Sequence, residues 1–187
     1  MSDRLNRAFA QIDAANSADP TLENGQPAAL LYGRRMTAEV ALLFPEASDI
    51  LKIAARGQHI ERWLLPRNSY PEGLPGYLDW RREQGRRHAV RVGQIMLDAG
   101  YSTADADRAG VLLRKEGIKR DADVQALEDI ICFAFLRHYL GDFAAGKDPD
   151  HLLNIVGKTA RKMSASGRAK ALVEFSLAPP FAALFAT

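Results

Sequence analysis

Apolar residues recur at helical spacing through most of the chain, and the breaks between them fall at proline and glycine. Leu5, Phe9 and Ile12 share one side of a segment from Arg4 to Ala15, which predicts a first amphipathic helix. A polar stretch, 16–27, containing Asp19-Pro20 and Asn24-Gly25, reads as an ordered loop. Leu30, Leu31, Val40, Leu42 and Leu43 then predict a helix from Ala28 to Phe44, ended by Pro45. A third, from Ala47 to Trp63, places Ile50, Ile53, Ala54 and Ile60 on one side and Lys52, Arg56, His59, Arg62 and Trp63 on the other. Residues 64–76 hold three prolines and two glycines, so regular structure is excluded there and a second ordered loop is expected.

The next helix, from Tyr77 to Ala99, turns Leu78, Val92, Ile95, Met96 and Ala99 inward, with Arg81 and His88 in the same stripe and Gly85 leaving room one turn before His88. Gly100 ends it. Ser102 or Thr103 caps a helix reaching Glu116, Asp121 caps the following one, and Asp148-Pro149 opens a helix toward Met163. Ser164 or Ser166 caps a last helix to Phe175, and the apolar, proline-interrupted tail 176–187 is expected to lie along the body or in a partner's groove. The run LEDIICFAFLRHYL, 127–140, is apolar in almost every direction, the signature of a buried helix. The expected architecture is therefore all-α: a single helical domain, 1–187, of seven or eight helices around a central buried one at about 122–142.

Glu128 and Asp129 enter the interior with that helix, and a buried carboxylate is costly unless paired, hydrogen-bonded or bound to metal. The chain's 187 residues, 47% hydrophobic and 26% charged, agree with one globular domain. A net charge of only +2 excludes attraction to nucleic acid by overall charge. The charge is unevenly placed, however. From 56 to 91 there are eight arginines, Arg56, Arg62, Arg67, Arg81, Arg82, Arg86, Arg87 and Arg91, against four acids, Glu61, Glu72, Asp79 and Glu83. The single cysteine, Cys132, lies in the buried helix, so no disulfide framework exists and a reducing compartment is expected. With no leader-like N-terminus and no apolar window of about 18 residues, the expectation is a cytoplasmic protein without a membrane partner.

Guanidinium groups recognise carboxylate and phosphate and stack on rings such as Trp63, Tyr70 and Trp80. The candidate site accordingly has Arg62, Arg67 and Arg81 gripping a small anion, Trp63 or Tyr70 stacking on it, His59 or His88 moving protons, and Asp129 beside Glu128 orienting a partner. His59, His88 and Asp129 also form a two-nitrogen, one-oxygen set suited to a divalent metal such as zinc, iron or manganese. A second basic cluster, Lys158, Arg161, Lys162, Arg168 and Lys170, reads either as a solvated helix face or as a phosphate-contacting strip for RNA or DNA. Nucleophile elbow, phosphate loop, CxxC and HExxH motifs are all missing.

The blocks QHIERWLLPRNSYPEGLPGYLDWRREQGRRHA, LLRKEGIKRDADVQALEDIICFAFL and KTARKMSASGR, in that order and separation, resemble domain-of-unknown-function family 4202 over nearly the whole chain. The resemblance implies an all-helical protein and covers His59, Arg62, Trp63, Pro66, Arg67, Tyr70, Pro71, Gly76, Tyr77, Trp80, Arg81, His88, Lys115, Gln125, Glu128, Asp129, Lys158, Lys162 and Ser164. Lys115 joins the ligand-binding candidates on that ground. A partial likeness to HD-type metal phosphohydrolases rests on the order of His59, His88 and Asp129; it departs from them in having Ala89 after His88 and no His-Asp dipeptide. The favoured expectation is a site for a phosphorylated or carboxylated small molecule or nucleotide. The alternatives are an RNA- or protein-binding module without catalysis and a divergent HD-like metal-dependent phosphohydrolase.

Overall fold

The structure, a computed structural model, describes residues 2–186 and is all-α, with ten α-helices among those residues. The helices fall into two compact units, Met1–Gly117 and Ile118–Thr187. No helix among the described residues is long and apolar enough to cross a membrane.

In the first unit, α1 (Asp3–Asn16) is capped by Ser2 and buries Leu5, Ala8 and Ile12. The loop expected at 16–27 contains a short antiparallel ladder, β1 (Leu22–Glu23) against β2 (Gln26–Pro27), with Leu22 opposite Pro27 and Glu23 opposite Gln26. Asn24 and Gly25 carry the two positive φ angles, 50° and 74°, that such a two-residue turn demands. Pro27 precedes α2 (Ala28–Leu43) and offers no side-chain cap. Asp19, buried, substitutes for one from a distance, accepting from the Ala29 amide at 2.9 Å.

The helix expected to run to Trp63 stops early: α3 spans Asp49–Arg56 and ends at Gly57. A Cβ at Gly57 would stand 2.5 Å from a methyl of Val92, so this close approach requires glycine. Residues 57–61 are a tight turn. Glu61 takes a left-handed conformation (φ 51°), and its amide is held by Asn16 Oδ1 at 3.1 Å. His59 and Arg62 are consequently presented from a turn rather than a helix face. Two 3-10 turns, Arg62–Leu64 and Arg67–Ser69, lead into α4 (Gly73–Asp98), which begins ahead of the expected Tyr77.

The inward stripe of α4 is Gly76, Trp80, Gln84, His88, Val92 and Met96, a run of fourth residues. Leu78, expected inside, is exposed; Trp80 and Gln84 take the interior because their polar atoms reach acceptors. Trp80 Nε1 donates to the Leu65 carbonyl at 2.9 Å, and Gln84 Nε2 donates to the carbonyls of Arg62 and Leu65 at 2.9 and 3.0 Å. The stripe thus stitches the irregular chain after His59 onto the helix. α5 (Thr103–Arg114), opened by a capping box between Ser102 and Asp105, packs along α4. A Cβ at Gly85 would meet the Leu113 carbonyl at 3.3 Å, the close approach expected there.

In the second unit, Asp121 caps α6 (Ala122–His138), the expected buried helix, which hides Leu127, Glu128, Asp129, Ile130, Cys132, Phe133 and Ala134. It breaks at Tyr139, and a short α7 (Leu140–Ala144) follows. Asp148 and Pro149 open α8 (Pro149–Lys162) as expected, and Ser164 caps α9 (Ala165–Glu174). The tail is more regular than its prolines suggested. Pro179 and Pro180 start α10 (Pro179–Phe185), which packs on α8 and α9 and buries Phe185.

Asp129 is satisfied inside this unit. Its Oδ1 accepts the Ser164 amide at 2.8 Å and Gln125 Nε2 at 3.1 Å, and its Oδ2 accepts the Ser164 hydroxyl at 2.5 Å. The same hydroxyl accepts the Gly167 amide at 2.9 Å, so the buried acid locks the α9 N-cap. Gly167 packs against the carboxylate; a Cβ there would lie 2.9–3.0 Å from Asp129's carboxylate atoms. Gly167→Ala is therefore expected to lower stability by about 1–3 kcal/mol through overpacking, although helix propensity alone favours alanine by about 1 kcal/mol. Urea denaturation decides the sign.

Candidate functional site

The arginines of residues 56–91 sort themselves by what they meet. Arg56 is buried and makes a two-pronged pair with Asp13. Arg82 pairs with Asp79, Arg86 and Arg87 with Glu83, and Arg91 with Glu61. Arg67, expected to grip a ligand, is committed to its own loop: it donates to the carbonyls of Tyr70 and Pro71 at 2.9 Å each and to that of Gly73 at 3.4 Å. A loop of prolines has few amides to bond its own carbonyls, and the guanidinium supplies the missing donors.

Arg62 and Arg81 differ from all of these. Neither guanidinium donates to a carboxylate or carbonyl among the described residues; each lies over a ring instead, Arg62 4.5 Å from the Trp80 centroid and Arg81 5.7 Å from that of Tyr77. Stacking satisfies the face of a guanidinium and leaves its N–H edge free for a planar or tetrahedral anion. Burial lowers the Arg62 pKa first, and the nearby charge of Arg81 lowers it further.

The two histidines meet beside these arginines. His59 stacks on Tyr32 of α2, with ring centroids 3.8 Å apart and planes at 16°, and its centroid stands 6.4 Å from that of His88. His88 is 3% exposed, and its Nε2 has no hydrogen-bond partner among the described residues. Burial first, then Arg62, pushes the His88 pKa down to about 3. His59 is also held well below the usual histidine value, by burial first and then by Arg62, His88, Lys115 and Arg81 in turn. Every charged neighbour in that sequence is cationic or a second imidazole. The site is thus an electropositive cluster with two neutral histidines at its centre.

Of the residues expected at the site, His59, Arg62, Arg81, His88 and Lys115 come together in the first unit. Trp63 and Tyr70 are half-buried but make no ring contact with the cluster. Tyr70 lines an open depression with Pro66, Arg67 and Glu72, and no cluster residue contributes to that lining. Asp129 was expected among these histidines and arginines, but its hydrogen bonds run to Ser164 and Gln125 in the second unit. Glu128 there lies 4.0 Å from Lys162. Among the described residues no three His, Cys, Asp or Glu side chains are placed to hold a metal ion, so the two histidines lack the third donor the metal reading needs.

The second basic cluster is partly committed as well. Arg168 donates to the Met163 carbonyl at 3.1 Å, while Lys158 and Arg161 are exposed on α8. Periodicity and spacing did not bring forward Tyr32 or Tyr77, and of the two only Tyr77 lies among the positions the family resemblance covers. Each supplies a ring to the cluster, and each stands at a sequence position whose only local signal is its place on a helix.

Fold and site together define an all-α protein whose first unit carries a cationic, histidine-centred cluster. Over residues 6–185 the chain matches the family described as Domain of unknown function (DUF4202), and it belongs to that family. No curated protein and no solved structure matches it.

Proposed function

We propose that the cluster of His59, Arg62, Arg81, His88 and Lys115 binds the anionic group of a phosphorylated or carboxylated small molecule. One observation carries the reading: of the eight arginines between 56 and 91, Arg62 and Arg81 are the two with no hydrogen bond or ion pair to an oxygen of the described residues, and they flank the buried His88 and the half-buried His59, where like charges repel. An anion relieves that repulsion and takes up the free guanidinium edges. The histidines are kept neutral, so at neutral pH they serve as hydrogen-bonding groups or proton acceptors rather than as imidazolium acids.

A thermal-shift series with inorganic phosphate, a nucleoside monophosphate and small carboxylates tests this. A ligand present at about a hundred times its Kd stabilises the fold by about 3 kcal/mol. Arg62→Ala and Arg81→Ala are each expected to weaken binding roughly ten- to hundredfold, the worth of a charged hydrogen bond. Arg82→Ala, which removes an exposed arginine paired with Asp79, leaves it unchanged. No stabilisation by any anion, or equal losses in all three variants, contradicts the proposal.

A further inference from the structure

The cluster's hydrogen-bonding inventory narrows the class of anion, on the basis of the reading just proposed. Arg62 and Arg81 offer two separate guanidinium edges, and Lys115 adds a third cation within electrostatic reach of His59. His88 Nε2 is a buried nitrogen with no hydrogen-bond partner among the described residues, on a ring 6.4 Å from His59. A single carboxylate has two oxygens in one plane and one negative charge. Its lone pairs lie in that one plane, so a fork that engages both oxygens leaves the second fork and the buried imidazole nitrogen only in-plane sites on the same two atoms. A phosphomonoester presents three terminal oxygens in a tetrahedral arrangement and carries a charge of roughly −1.5 to −2. It can meet two forks and the imidazole together, and it balances more of the cluster's charge.

We infer that the cluster takes the terminal phosphate of a small phosphomonoester, with the two guanidinium groups on separate oxygens and the His88 Nε2–H donating to the remaining one. The ester substituent leaves toward the half-buried Arg81 and the exposed Tyr77, the side on which the cluster meets solvent. His88 acts as a neutral donor, selecting an anion with an oxygen to spare.

Calorimetric titration of the full chain with phenyl phosphate, inorganic phosphate and benzoate, each on wild type, His88→Gln, His88→Phe and Arg81→Lys, tests this. Expected is phenyl phosphate at least tenfold tighter than benzoate and tighter than inorganic phosphate. His88→Phe should weaken the ester tenfold or more, with part of the loss restored in His88→Gln, whose amide can still donate. Arg81→Lys should also weaken the ester by replacing a fork with a point charge. Thermal unfolding of each variant establishes that it is folded. Benzoate binding as tightly as phenyl phosphate, with both lost in Arg81→Lys, overturns the phosphate assignment while the anion site stands. Inorganic phosphate binding more tightly than the ester overturns the ester. If none of the three binds wild type, the anion reading itself fails.

Discussion

Between pH 6.5 and pH 4, wild-type protein is expected to lose stability more steeply than a His88→Gln variant, by roughly 3 kcal/mol over that span. His88 is 3% exposed, and its pKa in the folded protein is pushed down to about 3. In the unfolded chain it returns to about 6.5. Below that value the unfolded state binds a proton that the folded state refuses, so stability is fully present above pH 6.5 and declines as pH falls toward the folded pKa. Glutamine does not titrate, so the difference between the two proteins removes the carboxylates' share of acid unfolding. His59, lowered in the same direction, adds its own loss over the same window. Urea midpoints at half-unit pH steps measure the difference; parallel curves for the two proteins would show that His88 is not held neutral by its surroundings.

Asp13→Ala is expected to cost about 3 kcal/mol, the scale for stranding one partner of a mostly buried ion pair. Asp13 of α1 accepts Arg56 Nε at 2.8 Å and Nη2 at 2.6 Å, while Arg56 Nη1 reaches the Thr37 hydroxyl of α2 at 3.1 Å. The guanidinium also lies 5.2 Å from the Phe9 ring. One side chain from the end of α3 thereby ties three helices, and its backbone is approached so closely that a Cβ at Gly33 would stand 2.8 Å from the Arg56 carbonyl. Removing the acid leaves a buried cation with one hydroxyl. Replacing the cation by an apolar side chain of similar length does not, so Arg56→Met is expected to cost less, and the double variant less than Asp13→Ala alone. A denaturation cycle over the four proteins checks the order. Asp13→Ala within 1 kcal/mol of wild type would mean that water replaces the carboxylate.

Part of this organisation is legible in the sequence. Helix identity and most caps were legible, because capping chemistry is local: Asp121, Asp148 and Ser164 each sit where their side chains bond the following amides. The buried character of α6 was legible for the same kind of reason, since an all-apolar wheel has no face to give water. The end of α3 was not. Helical periodicity continues through Ile60, but Val92 packs on Gly57, and that contact, distant in sequence, converts the next residues into the turn that presents His59.

The candidate site was legible as a composition and not as a set of partners. A run of eight arginines looks uniform in sequence, whereas the fold separates Arg56, held by Asp13, and Arg67, held by loop carbonyls, from Arg62 and Arg81. Asp129 has the company a buried carboxylate requires, yet that company is the N-cap of α9, an amide and a hydroxyl that any serine could supply. Tyr32 stayed hidden because a tyrosine on a helix reads as packing unless its neighbours across space are known, and Tyr77 stood out only through the family resemblance.

The measurement closest to the central claim is the pKa of the His88 imidazole, followed by NMR in the full-length protein with and without saturating phenyl phosphate. A buried, cation-flanked histidine should remain neutral down to about pH 3 in the free protein and titrate at a distinctly higher pH once an anion neutralises Arg62 and Arg81. A free-protein value near 6.5, or a value that saturating ligand leaves unmoved, would contradict the account.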